Sequence, residues 1–185
     1  MKTLLITGGT GFLGGAVIEK ILQRNEKVNL LLLVRAGDAE AGLARVLNNM
    51  RKFNLTEAQL SMLTASQIVC GDLGEPESFL HDVRLDSVTH VINCAAVASF
   101  GNNPLIWKVN VLGTLAFAHR MAEVAGLERF LHVGTAMSCT PEQDSLVPES
   151  AEFRENAEHL VAYTHSKSTI EQLMRQQCPQ LPLVI

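Results

Sequence analysis

The chain has one tyrosine, one tryptophan and only 5% aromatic residues in 185. It has no stretch approaching the roughly 20 apolar residues of a membrane-spanning helix, which excludes a span. The opening "MKTLLITGG" reaches its glycines after too short an apolar run to be a secretory signal peptide. Neither charge dominates: 15 Lys and Arg stand against 19 Asp and Glu, a net charge of −4. No basic field is therefore available to draw in nucleic acid. The four cysteines (Cys70, Cys94, Cys139 and Cys178) contain no C-x-x-C pair, and the six histidines are equally scattered. That excludes a recognisable zinc knuckle or disulfide framework, so no metal site is expected. The cysteines read as small buried hydrophobes, and the expected setting is a reducing, cytoplasmic one. Repeats, low-complexity tracts and linkers are missing too, so residues 1–185 read as one domain.

What is present is alternation. Short apolar runs occur at 3–7, 28–34, 66–70, 88–94, 129–134 and 181–185. Between them lie helical patterns: "FLGGAVIEKILQR", "DAEAGLARVLNNMRKF", "TEAQLSML", "NPLIWKVNVLGTLAFAHRMAEVA" and "EHLVAYTHSKSTIEQLMRQQ". Strands apolar on both faces and separated by helices predict an α/β fold, a doubly wound parallel sheet with right-handed crossovers. Residues 36–66 form a long insert after the second strand, read as two helices with "NLT" (54–56) capping the second. Residues 136–157 are polar with two prolines, a long loop after a strand's carboxyl end, where such folds bind ligands.

"LLITGGTGFLGGAV" places Gly8, Gly11 and Gly14 after the first strand and at the start of a helix. Three glycines can make a simple turn, but in a βαβ unit each has a separate use. Gly8 permits the tight turn, Gly11 lets backbone approach a pyrophosphate, and Gly14 lets the helix pack closely. The helix start then offers free N–H groups to the phosphates. Arg35, in "LLLVRAGD", stands where an acid would hold the ribose of NAD, and an arginine suits the 2′-phosphate of NADP. NADP is therefore preferred to NAD, with Asp38 close enough to blur the distinction. Asp72 and Leu73, in "CGDLGE", follow the third strand, where they either receive an adenine or cap a helix. The small residues Ala95 and Ala96, in "NCAAVASF", either let the chain pass a flat ligand or allow close strand–helix packing.

Tyr163 and Lys167 are four residues apart in a helical pattern and so share a face. A phenol is a poor acid–base catalyst at neutral pH, and a neighbouring ammonium favours its ionised form. Such a pair suits proton transfer in a carbonyl–alcohol interconversion with a nicotinamide moving the hydride. A core tyrosine beside a solvent lysine would leave the same spacing.

"TGGTGFLG", "GDL", "NCAA", "KVNVLGT", "HVGTA" and "YTHSK" occur in the order and spacing of an extended short-chain dehydrogenase/reductase, which the chain resembles along essentially its whole length. The resemblance implies a Rossmann fold with Thr10, Phe12 and Leu13 completing the cofactor loop among the glycines. It implies Tyr163 as general acid/base, and Lys167 lowering its pKa and binding the nicotinamide ribose. It implies Thr135 as the hydroxyl that holds the substrate oxygen, and Asn110 either as support for a water relay or as a brace for the sheet. Within the family, "LLLVRA", the helical insert and "HVGTA…YTHSK" look most like reductase domains acting on acyl thioesters. These occur in fatty acyl-CoA, carboxylic acid and peptide-synthetase reductases, where the substrate can be carrier-bound. Those domains commonly have Ser-Thr before the alanine, where this chain has Gly134-Thr135. The same motifs serve nucleotide-sugar epimerases/dehydratases and hydroxysteroid-type dehydrogenases, and a non-enzymatic NADP-binding module is the remaining alternative.

Family members continue past the sixth strand into a small C-terminal lobe, whereas this sequence ends at "LPLVI". The expectation is a chain truncated in or after that strand, lacking the substrate lobe. The long apolar helix at 103–125 is a candidate surface for a homodimer.

Overall fold

Apolar side chains occupy successive positions along the central strands, and the computed structural model, which describes residues 2–138 and 158–185, shows where each alternate set goes. Strands β1 (Thr3–Thr7), β2 (Asn29–Val34), β3 (Ile68–Cys70), β4 (His90–Asn93), β5 (Arg129–His132) and β6 (Leu183–Val184) form one sheet in the order β3-β2-β1-β4-β5-β6. Every neighbouring pair is parallel. The order reverses between β1 and β4, the doubly wound dinucleotide-binding arrangement expected from the sequence. In register, Ile6 lies between Leu32 and Ile92, and Thr7 between Leu33 and Asn93.

Successive side chains of a strand point to opposite faces, and each face has its own helices. Ile6, Leu30, Leu32, Val34 and Ile68 pack against α1 (Phe12–Arg24), α2 (Ala39–Met50) and α3 (Glu57–Leu60), through Ile18, Leu22, Val46, Met50 and Leu60. On the other face Leu5, Leu31, Leu33, Val69 and Val91 meet Phe117 and Met121 of α4 (Thr114–Ala122) and Ile170 and Met174 of α5 (Ala162–Gln177).

The local signals for these helices are specific. Asp38 accepts from the Ala41 amide at 2.8 Å and so caps α2. Thr56 forms a capping box with Gln59 at the head of α3, as "NLT" predicts, although α3 is a single turn. Asn25 ends α1 in a left-handed conformation, φ 50°. The tyrosine helix begins at Ala162, four residues inside the stretch expected from the pattern. The polar 136–157 loop lies, from residue 139 onward, outside the described residues, as does Cys139.

The helix expected over 103–125 is not uniform. Trp107–Gly113 is wound as a π-helix that runs directly into α4. Thr114 Oγ1 takes the carbonyl of Val109, five residues back, at 2.9 Å. Gly113 lies so close to the Leu73 carbonyl that a Cβ there would overlap its oxygen. Wide π turns of this kind occur where a helix must adapt to a neighbour at a site. Gly113→Ala is expected to destabilise the protein by roughly 3 kcal/mol, because backbone rather than a flexible side chain must move. Urea unfolding checks this, and an unchanged midpoint would contradict the packing described.

Candidate active site

Gly8 has φ 75°, and a Cβ on it would sit 2.8 Å from the Ala95 amide nitrogen. Only glycine combines that backbone angle with so close an approach to the chain leaving β4. Gly11 donates to the Gly8 carbonyl at 2.9 Å and is the first residue before α1. Gly14 is buried, and any side chain there would run into the Gly8 carbonyl. The turn therefore lies flat against the start of α1, with its backbone facing a cavity of about 650 Å³ at the carboxyl ends of β1, β2, β3 and β4.

Of the residues expected at a cofactor, Gly8, Thr10, Gly11, Arg35, Asp72, Leu73, Ala95 and Ala96 line this cavity. Phe12, Leu13 and Lys167 do not: the first two are 84% and 46% exposed on the first turn of α1, and Lys167 is buried on the tyrosine helix. Gly14 acts behind the wall. Asp72 Oδ1 accepts from the Gly74 amide at 2.8 Å, a local turn rather than the cap of a regular helix. Its other oxygen lies 4.0 Å from Arg35 Nη1. Asp38, committed to capping α2, is not a cavity residue.

Several cavity residues have no mark in the sequence. Asn49, on α2, is buried and donates to the Gly9 carbonyl at 3.1 Å and the Gly11 carbonyl at 2.9 Å, clamping the glycine turn from the insert. Arg45 and Lys52, from the same helix region, add two further cations to the cavity lining. Arg45 also donates to the Arg35 carbonyl.

Tyr163 and Lys167 lie one turn apart on α5. Lys167 is 2% exposed and its Nζ donates to the Val133 carbonyl, just past β5, at 2.6 Å. Burial holds its pKa below the ordinary lysine value, while the charge of Glu171 and the thiol of Cys94 act in the opposite direction. Tyr163 is half-buried, with Phe100 meeting its ring edge-to-face at 5.9 Å between centroids. Thr135 follows Val133 in the same loop, and its Oγ1 accepts from the Met137 amide at 3.3 Å. Asn110, in the π-helix, accepts from the Val97 amide at 2.7 Å and donates to the Val97 carbonyl and to Ser166 Oγ, each at 3.1 Å. Ser166 in turn donates to the Tyr163 carbonyl at 2.7 Å. Asn110 thus ties the loop after β4 to the first turn of α5.

The cavity and the tyrosine helix are joined by Cys94, which lines the first and lies within electrostatic reach of Lys167. Residues 6–185 match the male sterility protein family of NAD-binding domains. The chain belongs to that family. It is 33% identical over 165 residues to fatty acyl-CoA reductase 8 of Arabidopsis thaliana, an alignment covering 80% of this chain and 33% of that protein. The chain thus spans about a third of the length of that relative. Among solved structures, the terminal R domain of the myxalamid PKS-NRPS pathway superposes with a TM-score of 0.78 at 24% identity, over 100% of this chain and 48% of that one. The UDP-glucose 4-epimerase of Thermus thermophilus superposes with a TM-score of 0.66 at 22% identity, over 98% of this chain and 53% of that one. At these identities the two structures share the fold. Among the described residues, no helix is long and apolar enough to cross a membrane.

Behind the site runs a buried polar thread that the sequence does not announce. Thr7 Oγ1 donates to Asn93 Oδ1 at 2.5 Å and accepts from the Ala95 amide at 3.0 Å. Because Asn93 Oδ1 accepts, its amide nitrogen donates to His132 Nδ1 at 3.0 Å, which places the histidine proton on Nε2. Burial first, and the Lys167 ammonium second, push the His132 pKa down to about 3. The folded state therefore refuses a proton that the unfolded chain binds below about pH 6.5. Stability is expected to fall as pH drops from there toward 3, by up to about 1.4 kcal/mol per pH unit from this residue. Urea titrations at pH 7, 6 and 5 should show a shallower slope for His132→Gln than for the natural sequence. Equal slopes would mean that His132 takes up protons without unfolding.

Proposed function

We propose that this chain is the cofactor-binding and catalytic part of an NADP-dependent reductase that delivers hydride to a carbonyl, with an acyl thioester as substrate class. One observation carries the reading: Lys167, buried on the tyrosine helix, lies within electrostatic reach of Cys94, which lines the nucleotide-sized cavity. That proximity supports reading the acid/base pair and the cavity as parts of one site. Family membership and likeness to a plant fatty acyl-CoA reductase support the thioester.

The cavity fits a dinucleotide on its own geometry. A side chain at Gly8 would close the cradle against Ala95, and the backbone of the turn faces the space a pyrophosphate needs. Arg35, Arg45 and Lys52 add positive charge to its lining, while Asp38 is engaged in capping α2. This supports NADP over NAD, since a 2′-phosphate needs cations where a ribose diol would take an acid. When bound, the nicotinamide supplies the hydride.

The chain's own residues handle the oxygen and the proton. Thr135 donates its hydroxyl hydrogen to the substrate carbonyl oxygen, drawing charge toward it. Tyr163 passes its phenolic proton to that oxygen as negative charge builds there. Lys167 keeps positive charge near the phenol as that proton leaves, held in place through Val133. With a thioester, the new hydroxyl then gives up its proton, the carbonyl re-forms as an aldehyde and the carbon–sulfur bond breaks, the departing sulfur taking a proton to leave as a thiol. Asn110 and Ser166 keep the first turn of α5, and so Tyr163, fixed relative to the loop after β4.

Tyr163→Phe is expected to lower kcat at least 100-fold while leaving NADPH affinity within about twofold. Thiol release from an acyl-CoA and NADPH fluorescence titration measure the two, and unchanged turnover would remove the phenol from the reaction. Arg35→Ala is expected to weaken NADPH by about 1.5–3 kcal/mol and NADH far less. Equal loss for both coenzymes would refute the 2′-phosphate assignment.

A further inference from the structure

Tyr163 and Lys167 are followed one turn later on the same stripe of α5 by Glu171. Its Oε1 is buried and, among the described residues, has no hydrogen-bond partner. Gly134, in the loop that carries Thr135, lies directly against it: a Cβ on Gly134 would overlap Glu171 Oε1 and sit 3.1 Å from Ile185 Cγ2. Here the carboxylate occupies the space that a side chain would need.

A buried ammonium held only by a neutral carbonyl is costly unless a counter-charge lies near. Among the described residues, and besides Tyr163, three titratable groups interact electrostatically with Lys167: Cys94 from the segment after β4, His132 from β5, and Glu171 from its own helix. Burial raises the Cys94 thiol above its ordinary value, so it stays a thiol at neutral pH. His132 is neutral there for the reason given above. Of the three, only Glu171 is left to supply negative charge. Burial, the largest influence, raises the Glu171 pKa above the ordinary carboxylate value, whereas Lys167 and Arg175 act to lower it.

We infer that Glu171 is a positioning residue for Lys167: its carboxylate, lodged in the space left by Gly134, is the counter-charge that keeps Lys167 a cation beside Tyr163. The catalytic consequence rests on the reading of Tyr163 and Lys167 as the acid/base pair, while the electrostatic one does not. Gly134 and Glu171 thus act as a linked pair. A side chain at 134 and a carboxylate at 171 compete for the same volume.

The experiment is an NMR titration of the Lys167 side chain in the 185-residue protein, in three variants beside the natural sequence. In Glu171→Gln the Lys167 midpoint is expected to fall by about one pH unit or more. Gly134→Ala, which displaces the carboxylate, should lower it too, and should add nothing in the Glu171→Gln/Gly134→Ala double variant. The high-pH limb of the kcat profile should move to lower pH by the same amount, with KM little changed. A purely structural Glu171 would change the melting temperature and leave the Lys167 midpoint where it was, and that result overturns the inference. So does a Glu171 carboxyl found protonated at pH values where Lys167 is charged. The titration decides the role of Glu171 whether or not the 185-residue chain turns over substrate.

Discussion

The Thr7 hydroxyl donates to Asn93, receives the Ala95 amide, and through Asn93 reaches His132, so one chain of hydrogen bonds crosses β1, β4 and β5 at their carboxyl ends. All three side chains are buried, at 0%, 0% and 1% exposure, and such groups hold their geometry because an unmade bond there costs more than a made one gains. The position of Ala95 relative to Gly8 follows from this thread. With the Ala95 amide fixed by Thr7, the loop after β4 passes within contact of the glycine turn, and nothing larger than glycine fits between them. The crevice at the strand-order reversal is thereby set by polar contacts inside the sheet rather than by the loops around it.

The remaining walls adapt to that fixed edge. The loop after β4 continues to Val97, which Asn110 grips through both its amide and its carbonyl. To bring Asn110 there, the helix carrying it widens to a π turn, and the same widening lays Gly113 on the Leu73 carbonyl. One irregular stretch therefore fixes Leu73 under the cavity and, through Ser166, the first turn of α5 above it. From the other side Asn49 holds the Gly9 and Gly11 carbonyls, so the glycine turn is braced by a helix far along the chain.

The parts of this arrangement legible in the sequence are those with a local period or a local steric demand. Apolar runs mark the strands because both faces of the sheet are covered, and the glycines mark the turn because Gly8 and Gly14 each meet backbone that no side chain could replace. The Tyr163–Lys167 spacing is legible because a helix puts fourth neighbours on one face. Asn49, Asn93, His132 and Glu171 are not legible: each is an ordinary polar residue in an ordinary helix or strand, made significant by a partner brought to it by the fold. Asp38 shows the same limit in reverse. Beyond the end of β2 it competes on paper with Arg35 as the ribose residue, and only its hydrogen bond to Ala41 reveals it as a cap. Several strands are shorter than their apolar runs, β2, β3, β4 and β6 at their amino ends and β4, β5 and β6 at their carboxyl ends, because an apolar run also covers residues that leave the pairing. The π turn has no pattern of its own, since its cause is a contact with Leu73.

Two buried polar side-chain atoms lack partners among the described residues, His132 Nε2 and Glu171 Oε1, and both belong to groups that act electrostatically on Lys167 or respond to it. Buried polar groups are ordinarily paired, so this coincidence calls for a physical reason. A cation can be kept in a dry site only if neighbouring groups neither compete for its proton nor repel it. His132 meets the first condition because its Nδ1 is taken by Asn93 and its ring stays neutral. Glu171 meets the second by contributing charge at a distance rather than a hydrogen bond that would draw Nζ away from Val133. The unsatisfied atoms are thus a consequence of surrounding one lysine with groups that support its charge while its ammonium stays on the Val133 carbonyl.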